Sequence, residues 1–159
     1  GERDGSASER MQRIIRSLAD AGFDARPSHA VLQDRWDKWI FLASLAGMTC
    51  LMRGPVGAIA AAPGGSATAL ALLEECRAVA GRSGHAPDEK TLQRARTVLT
   101  EPGSSLTASM LRDLQHGHPI EADHVIGDML ARADRQHDAR SLLAVVYAHL
   151  KVYEAGRKR

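Results

Sequence analysis

Lys38 stands between Trp36 and Trp39 in the stretch Asp34-Arg-Trp-Asp-Lys-Trp, at the head of a long apolar run. An ammonium in apolar surroundings loses the solvation that favours its charged form, so its pKa falls and it becomes a proton donor near neutral pH. The competing reading is a lysine that lays its stem past the indoles and keeps its head in water. A second set of polar residues lies between Leu106 and Gly127. Ser109 and Asp113 are one helical turn apart, Gly117 is a stop, and Glu121 and Asp123 fall in the first turn of a new helix after Pro119. This spacing predicts a helix C-terminus facing a helix N-terminus, with polar groups from both aimed into one corner. Taken singly, Glu121 is a first-turn acid favoured by the helix dipole, and Ser109 a helix serine bonding back to its own turn.

Other chemistries lack a complete local motif. There is no glycine-rich strand-turn-helix of the dinucleotide-binding type, no phosphate loop and no His-Glu-x-x-His helix. His116 and His118 are two apart and point in different directions on a helix, so with His124 they read as loop and surface histidines, and no metal is expected. Cys50 and Cys76 each sit in an apolar helical pattern without a partner at ligand spacing, which favours buried reduced thiols.

The elements that must position these residues are helical. Ser6-Ala-Ser-Glu9 reads as a capping box, followed by Met11, Ile14, Ile15 and Leu18 at amphipathic spacing up to Gly22. Phe23 to Ser28, with Pro27, reads as an extended connector or a short edge strand. A second helix is predicted from His29 or Ala30 to about Met52, amphipathic at first and then apolar on nearly every side from Phe41 onwards, so that it must be covered all round. Further helices are expected from Pro55 to Ala61, from a Ser66 cap to about Ala80, from Asp88 to just before Pro102, from Ser105 to His116, from Glu121 to Gln136, and from Ser141 to Ala155, with a frayed tail. No segment alternates with period two, so the expected class is all-α, with seven or eight helices packed around the apolar second one.

Composition narrows the function classes. The 159 residues suffice for one domain with a real core, and the formal charge of +2 comes from scattered rather than clustered basic residues. That argues against a nucleic-acid surface and against a helical DNA-binding domain. The apolar run from Trp39 to Met52 is too short to span a bilayer and no signal peptide is visible, so no membrane partner and a cytoplasmic location are expected. A polar lead starting at Gly1 reads as part of something longer.

Asp34-Arg-Trp-Asp-Lys-Trp with its apolar helix, then Ser109-Met-Leu-Arg-Asp, Gly117 and Glu121-Ala-Asp-His-Val-Ile-Gly, together resemble the C-terminal helical domain of the ketopantoate reductase family. The resemblance runs in order from the lead-in helix with Ala21-Gly22-Phe23 to the final Tyr147-x-x-Leu150-Lys151 helix. It implies a single helical domain over residues 1–159, of the 6-phosphogluconate dehydrogenase C-terminal type, serving substrate binding and homodimerisation. It also implies an N-terminal Rossmann domain, absent from this chain, that binds NADPH. The implied reaction is reduction of ketopantoate to pantoate in pantothenate biosynthesis, with this chain alone inactive.

By that resemblance Lys38 is the general acid that protonates the 2-oxo group, Glu121 holds the substrate hydroxyl and helps orient the lysine, and Ser109 hydrogen-bonds the substrate carboxylate. An ammonium aimed at the carbonyl oxygen stabilises the charge that builds there during reduction. The family's well-studied members carry asparagines four and eight residues after the lysine and another near the following glycine. Leu42, Ala46 and Val56 occupy those positions here, and sites built on such polar contacts discriminate poorly without them. A related 2-oxo acid or a more apolar carbonyl substrate is therefore as much an expectation as ketopantoate. The other reading is a non-catalytic helical module of the same descent, used for dimerisation or partner binding through the apolar second helix.

Overall fold

The computed structural model describes residues 1–133 and 140–157, and all regular structure among them is helical. The described residues divide into two compact units, Gly1–Lys38 and Trp39–Arg159.

In the first unit α1 spans Glu9–Ser17. The cap is Ser8 rather than Ser6: the Ser8 hydroxyl accepts the Met11 N–H, while Ser6 is drawn into a turn in which its own N–H donates to Asp4. Glu2 locks this lead by accepting from the Ser8 hydroxyl and from the Arg10 guanidinium. None of the residues of α1 is buried, despite its apolar spacing. The helix closes at Leu18, and Gly22 follows with φ +75°. The Phe23–Ser28 connector belongs to no strand, as the described residues contain none.

The helix α2, Val31–Met52, begins in the first unit and supplies the core of the second. Every residue from Ala43 to Cys50 is buried, as an all-round apolar helix requires. Gly47 is where neighbours close in. A Cβ there would lie 2.7 Å from Leu72 Cδ2 and 3.4 Å from Val146 Cγ1, so a side chain at this position would require Leu72 to shift. The two buried hydroxyls of α2 are satisfied within the helix, Ser44 donating to the Ile40 carbonyl and Thr49 to that of Leu45.

Around this helix run α3 (Val56–Ala61), α4 (Gly65–Arg82), α5 (Glu89–Leu99), α6 (Ser109–Gln115), a π-helical turn (Asp123–Gly127), α7 (Asp128–Ala131) and α8 (Leu142–Arg157). Leu72, Leu111, Ile126, Met129, Leu143 and Leu150 are almost wholly withdrawn from solvent. Each such side chain stabilises the fold by about 1.5–3 kcal/mol before the entropy of ordering it is counted. Glu75, 66 to 68 residues earlier in the chain, caps α8 by accepting from the Ser141 hydroxyl and from the Leu142 and Leu143 N–H groups.

Several expected boundaries move: α2 begins at Val31, α3 at Val56 with Pro55 as its cap, and α4 runs to Arg82. Helix α4 starts at Gly65 after a left-handed Gly64, not at Ser66, because Gly65 lies so close to the Ile59 carbonyl that a Cβ would be 1.8 Å from its oxygen. Helix α6 starts at Ser109, not Ser105, because the preceding segment is pulled straight by backbone bonds: Val56 N–H to the Leu106 carbonyl and Gly57 N–H to that of Ser104. The helix expected over Glu121 to Gln136 is π-helical in its first part and α-helical to Ala131, and Gln136 lies outside the described residues, as does the end of the tail. No helix of the described residues is long and apolar enough to cross a membrane.

Candidate functional site

Ser109 is the first residue of α6 and is exposed to solvent. The loop that delivers it is held at two points. Gly57 lies against Ser104, where a Cβ would come within 2.4 Å of the Ser104 nitrogen, and the Ala108 N–H donates to the buried Thr49 hydroxyl at 3.4 Å. Asp113 follows one turn later, and its carbonyl accepts the His118 N–H at 2.8 Å across the left-handed Gly117. The His116 and His118 rings, expected to diverge, stack with centroids 5.7 Å apart, because the helix has already ended at Gln115. No three His, Cys, Asp or Glu side chains among the described residues group in a way that could hold a metal ion.

Glu121 is also exposed, and its carbonyl accepts the Val125 N–H at 3.0 Å, the first helical bond of the next element. That element is the π-helical turn, and it is gripped from two sides. On one side the Asp123 carboxylate accepts from the Tyr147 hydroxyl at 2.7 Å and from the Lys151 ammonium at 2.9 and 3.1 Å, with Glu154 a further 2.5 Å partner of Lys151. The Tyr147 hydroxyl and the Lys151 ammonium hold the Asp123 carboxyl below the usual range, and Glu154 and Asp123 together push the Lys151 pKa upward. On the other side the Trp39 indole donates to the Val125 carbonyl at 2.9 Å, and the Arg132 guanidinium lies 5.4 Å from the centre of the Trp39 ring. The connection between α6 and this turn is tied down by the Tyr153 hydroxyl, which donates to the His118 carbonyl at 2.7 Å.

The second unit thus presents a hydroxyl at Ser109 and a carboxylate at Glu121, one before and one after the Gly117 stop. A serine hydroxyl can donate to a carboxylate, and an ionised glutamate can accept from a hydroxyl. Lys38 belongs to the first unit and is exposed, as a lysine with its head in water would be. Of the three positions that depart from the asparagine pattern, Leu42 is 39 % exposed, whereas Ala46 and Val56 are buried. An amide at either buried position would need hydrogen-bond partners supplied around it.

Trp39, Tyr147 and Lys151 were not singled out by spacing as parts of this constellation. Two signals for it exist. Tyr147 and Lys151 are four apart on one helix and so share a face, and Gly127 stands where a helix former would otherwise be favoured.

The sequence model of the family described as ketopantoate reductase PanE/ApbA C terminal matches residues 30–154. Among curated proteins, an uncharacterized oxidoreductase of Bacillus subtilis (strain 168), YkpB, is 32 % identical over 155 residues, 98 % of this chain and 51 % of that protein. Among solved structures, a 2-dehydropantoate 2-reductase from Methylococcus capsulatus superposes with TM-score 0.79 at 26 % identity, over 98 % of this chain and 49 % of its own. A dimeric ketopantoate reductase from Staphylococcus aureus shares the fold, with TM-score 0.79 at 21 % identity over 96 % of this chain and 53 % of its own. The chain spans about half the length of each of these relatives. The matched residues include Lys38, Ser109 and Glu121 together with the buried helix that forms the core, and the chain belongs to the ketopantoate reductase PanE/ApbA C-terminal family.

Proposed function

We propose that this chain is the substrate-binding part of an NADPH-dependent 2-oxo acid reductase in which Lys38 is the general acid, Glu121 holds the substrate hydroxyl and Ser109 the substrate carboxylate. The observation that carries the reading is the family match over residues 30–154, which takes in all three side chains. NADPH supplies the hydride in such a reaction. In this reading the dinucleotide is held mainly by an N-terminal Rossmann domain, as the chain spans about half the length of the relatives it matches.

What these residues contribute is recognition and a proton. Reduction of a 2-oxo acid develops negative charge on the carbonyl oxygen, and the Lys38 ammonium stabilises that charge and protonates the oxygen. Glu121, ionised, accepts from a hydroxyl on the substrate, and Ser109 donates to its carboxylate. The substrate is ketopantoate, a related 2-oxo acid or a more apolar carbonyl compound; of the three departing positions only Leu42 is open to solvent and able to meet it. A homodimer is part of the proposal, supported by the Staphylococcus aureus relative being dimeric.

The test begins with the protein as its source cell makes it. An intact mass about twice the 17.1 kDa of this chain is expected. That protein is then assayed for NADPH oxidation against a panel of 2-oxo acids of graded polarity. Lys38→Ala should lower turnover by about two to four orders of magnitude while leaving the melting temperature nearly unchanged. Near-normal turnover by that variant on the best substrate rejects Lys38 as the acid.

A further inference from the structure

Trp39 is the residue after the proposed acid, and its indole reaches 86 positions along the chain to the π-helical turn. The contact is a short relay of hydrogen bonds. The indole N–H donates to the Val125 carbonyl at 2.9 Å, and the Val125 N–H donates to the Glu121 carbonyl at 3.0 Å. Beyond the turn, Arg132 lies over the Trp39 ring and donates from its guanidinium to the Asp128 carbonyl at 2.7 Å, so the ring and the first residue of α7 are held by the same side chain. A π-helical turn is rare and is found mostly as a single turn within an α-helix, frequently at functional sites. Asp123 supports one side of it through Tyr147 and Lys151, and Trp39 supports the other.

We propose that Trp39 is a positioning residue that fixes the backbone of Glu121 through Val125 and thereby sets the grip on the substrate hydroxyl. This rests on the reading of Glu121 given above. Trp39 touches no substrate in this account. It anchors the Val125 carbonyl and with it the α-helical bond from the Val125 N–H to the Glu121 carbonyl, so that Glu121 is held at a fixed place ahead of the π-helical turn. Tryptophan rather than another large apolar residue is needed because only its ring nitrogen donates the bond; phenylalanine fills nearly the same space and keeps the ring for Arg132.

The experiment uses the complete oxidoreductase and its best 2-oxo acid substrate, with the variants Trp39→Phe, Glu121→Gln and the two combined. Trp39→Phe should raise KM about three- to tenfold, as expected for one lost hydrogen bond, with kcat and the melting temperature little changed. In the double variant the two effects should merge, KM standing no higher than for Glu121→Gln alone, because a positioning residue has nothing left to position. Hydrogen exchange gives a reading independent of activity: the Val125 and Ile126 amides should lose protection in Trp39→Phe while those of α8 keep it. Unchanged KM in Trp39→Phe alongside a raised KM in Glu121→Gln overturns the positioning role and leaves the Glu121 assignment standing. An unchanged KM in Glu121→Gln overturns both.

Discussion

The ring of Tyr147 fills the space that a side chain at Gly127 would need. A Cβ on Gly127 would stand 2.9 Å from Tyr147 Cε2 and 3.3 Å from Cζ, and it is this closeness that lets the hydroxyl reach the Asp123 carboxylate. Gly127 has ordinary right-handed helical geometry, with φ −60°, so the requirement is for room and not for backbone freedom. Gly127→Ala is therefore expected to force the ring outward and lose the bond to Asp123. The helix propensity gained by alanine, about 1 kcal/mol, is outweighed by overpacking of about 1–3 kcal/mol plus the lost hydrogen bond. Denaturant titration should show net destabilisation, and a stabilised variant would show that the ring can yield without cost.

Much of this arrangement was legible in the sequence, and the part that was not has a common cause. The all-round apolar stretch of α2 is enough to require its burial, and the motifs that hold Lys38, Ser109 and Glu121 carry the family resemblance that the match over residues 30–154 bears out. The misplaced helix starts came from contacts between segments far apart in the chain. Ser105 looks like a helix cap locally, but the Val56 and Gly57 amides claim the carbonyls around it. The π-helical turn has no composition of its own, as Asp-His-Val-Ile-Gly suits an α-helix equally well. Its partners Trp39 and Tyr147 lie 86 and 24 residues away in the chain, out of reach of any local pattern. The Glu75 cap on α8 was hidden for the same reason.

Both cysteines are free and buried, and burial pushes each thiol up to about 12. For Cys50 the nearby Asp113 adds to the effect and Arg53 opposes it, while for Cys76 a hydrogen bond with Ser44 opposes it. The thiolate is the reacting species, so neither residue should be alkylated by iodoacetamide at pH 8 in the folded protein, and both should react once denaturant unfolds it. The same shift makes stability depend on pH. Unfolded thiols ionise from near pH 9, whereas the folded ones stay protonated, so the unfolded state binds fewer protons between about pH 9 and 12. The contribution of these thiols is complete below pH 9 and is lost as pH rises through that window. Melting temperatures measured from pH 8 to 11 should fall, and should fall less in a Cys50→Ala, Cys76→Ala double variant compared with its own value at pH 8.

Binding and proton transfer should separate cleanly between the two proposed roles. Glu121 is exposed at the entry to the π-helical turn, so its removal empties no core and should leave the melting temperature within about 0.5 kcal/mol of equivalent stability. If its carboxylate accepts from the substrate hydroxyl both before and during reduction, that contact is uniform between ground and transition states and its loss appears in KM. A charge-assisted hydrogen bond lost in this way corresponds to about a ten- to hundredfold rise in KM for Glu121→Ala in the complete enzyme, with kcat reduced far less. In its proposed role Lys38 would act on charge that exists only in the transition state, so its removal should appear in kcat. A Glu121→Ala variant whose KM and kcat both match the parent's would remove Glu121 from the site. A variant in which kcat falls as far as in Lys38→Ala would instead place Glu121 in the proton-transfer step, orienting the ammonium as well as holding the hydroxyl.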